Sequence, residues 1–121
     1  MTDEQEQLIA RSGLIDVKDT LSRLGDDRPL FAQVLRWFAA DLPMALQNIK
    51  TSLAAEDAKA TREAVHKLKG SAANAGANRL YKMAATAEQH CKSNELGDVQ
   101  RQLQEMSSEV NAILEVVRKI D

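Results

Sequence analysis

The sequence predicts an all-α fold, an antiparallel four-helix bundle with an extra short N-terminal helix. Three observations carry this. Apolar residues recur in steps of three and four along most of the 121 residues, the spacing of one helix face. Alternating β-branched runs, which would mark strands, are absent. Four of the five glycines, Gly13, Gly25, Gly76 and Gly97, fall between the periodic segments, where they act as punctuation.

The elements follow in order. Residues 1–12 open with the acidic, polar run Met1-Thr2-Asp3-Glu4-Gln5-Glu6-Gln7 and read as a polar leader. Leu14, Val17, Leu21 and Leu24 then form a short segment over 14–24, expected to lie across one end of the bundle. Gly25-Asp26-Asp27-Arg28-Pro29 stops it. A long helix runs from Pro29 to Ala54 with the stripe Phe31, Leu35, Phe38, Leu42, Ala45, Ile49 and Leu53. Pro29 suits its first turn, where a missing N–H has no intrahelical partner to lose. Pro43 should kink this helix without breaking it, because the stripe stays in phase across it.

The third segment spans Asp57, an N-cap residue type, to Ala75, and Gly76 ends it. Its stripe is Ala58, Thr61, Val65, Leu68, Ala72 and Ala75. The fourth runs from Asn78 to Lys92 with Leu80, Ala84, Ala87 and Cys91 inward. After a loop over Ser93 to Gly97, the last helix starts near Asp98 and carries Val99, Leu103, Met106, Val110, Ile113, Val117 and Ile120. Long amphipathic segments on short loops pack as neighbouring antiparallel helices. The many alanines on the third and fourth segments allow close approach.

Composition narrows the function. The length suits one domain over 1–121, large enough for a core without disulfides or metals. A net charge of −2 gives no support for nucleic-acid or polybasic membrane binding. No apolar run approaches the roughly 18 residues that span a bilayer. The N-terminus is not a basic-then-apolar secretory signal. The single cysteine, Cys91, cannot pair internally and fits a cytoplasmic protein.

Within the third segment, His66-Lys67-Leu68-Lys69-Gly70-Ser71-Ala72 places a lysine three residues and a glycine four residues after a histidine. These positions share a helix face. His66 follows the core position Val65 by one residue, about 100° of turn, so it flanks the core seam on an accessible face. Neutral imidazole is a nucleophile near pH 7, and its two nitrogens can divide attack from orientation. Lys69 is expected to meet charge on phosphoryl oxygens. A mid-helix glycine costs about 1 kcal/mol relative to alanine; Gly70 is expected to clear access for a partner surface. Ala73 extends that face. Lys67 adds positive charge about 100° away, as a docking residue.

The stretch from His66 to Ala72, followed by Gly76-Ala77 and Leu80, resembles the signature of histidine phosphotransfer (HPt) domains, which serve two-component phosphorelays. Leu30-Phe31, Trp37-Phe38 and Leu42-Pro43 resemble the family's second helix, and Ile15-Asp16 with Gly25-Asp26 resemble its lead-in. Together they cover residues 14 to 118. The resemblance implies that His66 is phosphorylated at Nε2, with Lys69 assisting with phosphate charge and Gly70 giving access. The family often places a polar residue one helix later to hold the other ring nitrogen. Glu88 matches that position, where several relatives have glutamine; Gln89 follows it, and either could orient the ring. A carboxylate can accept the ring N–H, but it would repel a phosphoryl group if it swung close. Ala75 stands where larger apolar residues are common.

The implied partners are receiver domains of response regulators and a hybrid sensor kinase. Mg²⁺ is expected on the receiver, with no cofactor on this chain. No Gly-rich nucleotide loop or acidic Mg²⁺ cluster is present, which reads as a phosphocarrier and not a kinase. An open docking face favours a monomer. The rival reading is a non-catalytic helical interaction module. A metal-binding bundle has less support, because Glu63-x-x-His66 occurs once where such sites need two copies. Cys91, Met44, Met83 and Met106 read as packing residues, and His90 as a surface or boundary residue; Trp37, off the main stripe, either packs against the short first helix, the preferred reading, or belongs to an exposed docking patch.

Overall fold

Thr2, Asp16, Asp27 and Asp57 each sit just ahead of a helix and accept a hydrogen bond from a backbone N–H of its first turn. Such caps satisfy donors that would otherwise lack partners. The computed structural model, which describes residues 1–120, contains α1 (Asp3–Ser12), α2 (Val17–Arg23), α3 (Arg28–Ala54), α4 (Ala58–Ala75), α5 (Asn78–Lys92) and α6 (Leu96–Val117). The helices α3, α4, α5 and α6 pack in a ring, each against the next and α6 back against α3. This is the four-helix bundle. The short α1 rests on α2 and α6, and α2 rests on α3.

The core is the set of stripes read from the sequence. Phe31, Leu35, Val65, Leu68, Leu80, Met106 and Ile113 are among its fully buried side chains. The α4–α5 pair packs most extensively, through the buried alanines Ala72, Ala75, Ala84 and Ala87. Small side chains bring these two backbones together. Charged groups on their outer edges can therefore reach one another. Gly76 closes α4 with φ 76°, a left-handed conformation that glycine adopts without penalty. Its carbonyl accepts from the Asp16 backbone N–H at 2.8 Å, and a Cβ there would collide with Thr20 Oγ1.

Several expectations need correction. Residues 3–12, read as leader, form α1. A capping box starts it: Thr2 Oγ1 accepts from Gln5 N at 3.1 Å, and Gln5 Oε1 accepts from Thr2 N at 2.8 Å. Asp3, Glu4 and Glu6 complement the helix dipole in its first turn. Ile9, fully buried, anchors it to the core. The last helix begins at Leu96 and not near Asp98, because Leu96, three residues before Val99, already packs on the core. In α3, Leu46 is buried where Ala45 is only partly so. The helix is continuous through Pro43. Met44, expected to pack, is 64% exposed, and Trp37 is 58% exposed, the second of its two readings. Met106 and Cys91 are buried as expected, and Met83 partly so.

Candidate functional site

His66 projects from the middle of α4 with its side chain 68% exposed. Its backbone neighbours Val65 and Leu68 are locked in the core, so the ring is mounted on a rigid element beside the seam. On α5, Glu88 follows the fully buried Ala87 and lies on the edge facing α4, its side chain 7% exposed. Glu88 Oε2 lies 2.6 Å from His66 Nδ1, and Glu88 Oε1 accepts from Lys69 Nζ at 2.5 Å. One buried carboxylate therefore joins the histidine and the lysine of the motif. Gln89 is exposed and is not among the ring's partners.

The protonation of this trio follows from its charges. The hydrogen bond from Lys69, with a smaller one from His66, holds the Glu88 carboxyl below its usual range, although burial opposes this. Reciprocally, Glu88 raises the Lys69 ammonium above its usual value. Glu88 is then a carboxylate, which can only accept. So Nδ1 is the ring nitrogen that donates to it, which points Nε2 away from the carboxylate. Lys69, expected to face phosphoryl oxygens, instead has its ammonium on Glu88. Both Glu88 oxygens have partners in this arrangement.

Gly70 is exposed, and a Cβ built there meets no atom within 4 Å. Nothing inside the molecule requires glycine at this position. We expect Gly70→Ala to stabilise the fold by about 0.5–1 kcal/mol, read as a higher urea midpoint with an unchanged slope. A loss of stability would mean that the glycine serves the chain's own packing.

On the other side of α4, Lys67 and Ser71 line a groove against Asp41 and Met44 of α3. It continues past Ser71 and Asn74 to Trp37. The two most exposed large apolar side chains thus flank one groove that adjoins the His66 face. Ala73 is partly buried, and its carbonyl accepts from Arg23 Nη2 at 3.3 Å.

The sequence reading passed over two cations. Arg62 and Lys92 line an open pocket with Glu63, His66 and Glu88. Their signal was spacing: Arg62 lies four residues before His66, and Lys92 four after Glu88, so each shares a helix face with its anchor. Elsewhere, His90 Nδ1 lies 3.2 Å from Glu95 Oε1 and 3.7 Å from Asp98 Oδ2. This cluster ties the end of α5 to the start of α6, and Asp98 also pairs with Arg101.

Comparison with known proteins agrees with this fold. The profile of the Hpt domain matches residues 33–118. Histidine-containing phosphotransfer protein B (HptB) from Pseudomonas aeruginosa PAO1 superposes with a TM-score of 0.80 at 23% identity, covering 88% of this chain and 92% of that one. The HPT domain of a sensor hybrid histidine kinase from Shewanella superposes with a TM-score of 0.78 at 18% identity, covering 89% and 93%. Among curated protein sequences, none matches.

Proposed function

The chain belongs to the Hpt domain family, the histidine phosphotransfer proteins of phosphorelays, and we propose that His66 is the residue that carries the phosphoryl group. One observation supports this above others. An exposed imidazole has its Nδ1 proton held at 2.6 Å by a buried carboxylate, which leaves Nε2 free for attack. The ring is already fixed in one tautomer and orientation, so transfer proceeds by positioning.

The Nε2 lone pair attacks the phosphorus of an aspartyl phosphate on a receiver domain. The P–O bond to aspartate breaks, and the aspartate leaves as a carboxylate. The proton stays on Nδ1, so the product is a phosphorylated imidazolium. Its positive charge is offset by the Glu88 carboxylate, which favours the product over an unpaired ring. Lys69 keeps that carboxylate ionised and away from the phosphoryl oxygens, so its charge acts on the site through Glu88. The reverse step delivers the phosphoryl group to another receiver's aspartate.

Receiver domains and hybrid kinases are the partners of Hpt domains. In this reading the receiver supplies Mg²⁺, while this chain has no nucleotide chemistry of its own and acts as a phosphocarrier. The docking face comprises His66, Gly70, Ala73 and Lys67, with Trp37 and Met44 along the α3–α4 groove. Leaving that face open suits a monomer. Among the described residues no helix is long and apolar enough to cross a membrane; with a lone, buried cysteine, this supports a cytoplasmic setting.

The test is incubation with phosphorylated receivers and Mg²⁺. Acid-labile, base-stable label should reach the chain and pass to a second receiver. No label from any of several cognate receivers would leave the non-catalytic interaction module as the better reading. Gly70→Gln separates docking from chemistry. It should fold normally, lose transfer from receivers on the order of 10–100-fold, and still accept phosphate from the small donor phosphoramidate. Undiminished receiver transfer would remove Gly70 from the docking face.

A further inference from the structure

We propose that Arg62 and Lys92 are the cations that bind the phosphoryl oxygens on His66, the place first expected for Lys69. The inference rests on His66 being the phosphoacceptor. Charge balance makes the case. The Lys69 ammonium sits on the Glu88 carboxylate, so the pair brings no net positive charge to an arriving phosphoryl group. The remaining charges around the pocket are Arg62, Lys92 and Glu63. Without the two cations, a phosphoryl dianion would arrive beside the Glu63 carboxylate alone. With them, and with Glu88 balanced by Lys69, the surroundings of the ring are net positive.

Placement agrees with the charge count. Helical side chains lean toward the N-terminus of their helix, so the His66 ring overlies the turn that carries Arg62. Lys92 shares the α5 face of Glu88 one turn on. The Arg62 guanidinium also acts on the Cys91 thiol, partly countering the upward push from burial and from Glu88. Arg62 lines the same pocket as Glu88 and Lys92 of α5. Both cations are exposed, and among the described residues neither makes an ion pair. A guanidinium suits bidentate contact with phosphoryl oxygens, and an ammonium adds a mobile point charge.

The experiment uses phosphoramidate as the only phosphodonor, so that receiver docking plays no part. Nε2 attacks phosphorus, the P–N bond of the zwitterionic donor breaks, and neutral ammonia leaves. Labelling is followed by intact mass for wild type, His66→Gln, Arg62→Gln, Lys92→Gln and the double variant, with circular dichroism to check folding. The double variant should label at least roughly 10-fold more slowly, and Arg62→Lys should recover part of the rate. In ³¹P NMR titrations, the second ionisation of the phosphoryl group should move to higher pH in the double variant, a shift that a merely structural role would not produce. Wild-type labelling and an unmoved titration in the double variant overturn the inference, and leave His66 as acceptor if His66→Gln takes no label. Full labelling of His66→Gln overturns the acceptor assignment and this inference with it.

Discussion

His66→Gln is expected to fold as well as the wild type and to accept no phosphoryl group from any donor. The ring is mostly exposed, and its hydrogen bond to Glu88 is its only polar contact among the described residues. A glutamine amide can still donate to the carboxylate, so stability should change by no more than about 0.5 kcal/mol. Activity should vanish, because an amide nitrogen has no basic lone pair with which to attack phosphorus. Intact mass after exposure to phosphoramidate or phosphorylated receivers reads the result, and a thermal melt supplies the folding control. The sequence contains one other histidine, His90. Its ring lies between Glu95 and Asp98, an anionic setting that opposes a phosphoryl dianion. Label persisting in His66→Gln would move the acceptor elsewhere and undo the assignment.

The phase of a single helix was enough to find the histidine. Val65, Leu68 and Ala72 mark the buried side of α4, and counting about 100° per residue from them puts His66 at its edge. The capping residue Asp57 and the terminal Gly76 bounded the helix correctly for equally local reasons. What periodicity could not supply was the offset between two helices. Glu88 lies 22 residues from His66 and 19 from Lys69. Whether its carboxylate meets one, both or neither depends on how far α5 slides and turns against α4. That is set by the interlocking of Ala72, Ala75, Ala84 and Ala87. Periodicity therefore gave no sign that Lys69 meets Glu88, and it could not separate Glu88 from Gln89.

The missed helix and the misplaced methionine have different causes. In α1 only Ile9 is buried, so no stripe exists to count, although the Thr2–Gln5 capping box was there to be read. For Met44 helical spacing argued for packing, and Trp37, off the main stripe, left packing and exposure both open. Side chains at such positions leave the core when the molecule keeps an interface for something else. Both lie exposed beside the groove that Lys67 lines, on the face proposed above for docking.

Glu88→Leu is expected to uncouple activity from stability. Removing the carboxylate frees Nδ1, lets the ring sample both tautomers, and leaves the phosphorylated imidazolium without its counter-charge. A hydrogen bond to a charged partner is worth about 1.5–3 kcal/mol, so transfer should fall roughly 10–100-fold. Stability should change little, because a buried ionic group replaced by an apolar one of similar size is often neutral, and the freed Lys69 ammonium can turn to water. Glu88→Gln isolates the charge: the amide oxygen still accepts from the ring, but it offsets no positive charge, so transfer should lie between wild type and Glu88→Leu. The pH profiles follow from the direction of each shift. The folded protein holds Glu88 below its ordinary value. Its stabilisation is therefore complete above the usual carboxylate range and is lost as pH falls through the depressed folded value. Lys69 is raised, so its contribution is complete below the usual lysine range and is lost only as pH rises through the higher folded value. Between these limits the pair is intact. In Glu88→Gln the acid-side loss should shrink, and urea unfolding across an acid pH series measures it. An acid limb of unchanged depth would show that Glu88 is not held ionised by Lys69 and His66, and would remove the reason for placing the proton on Nδ1.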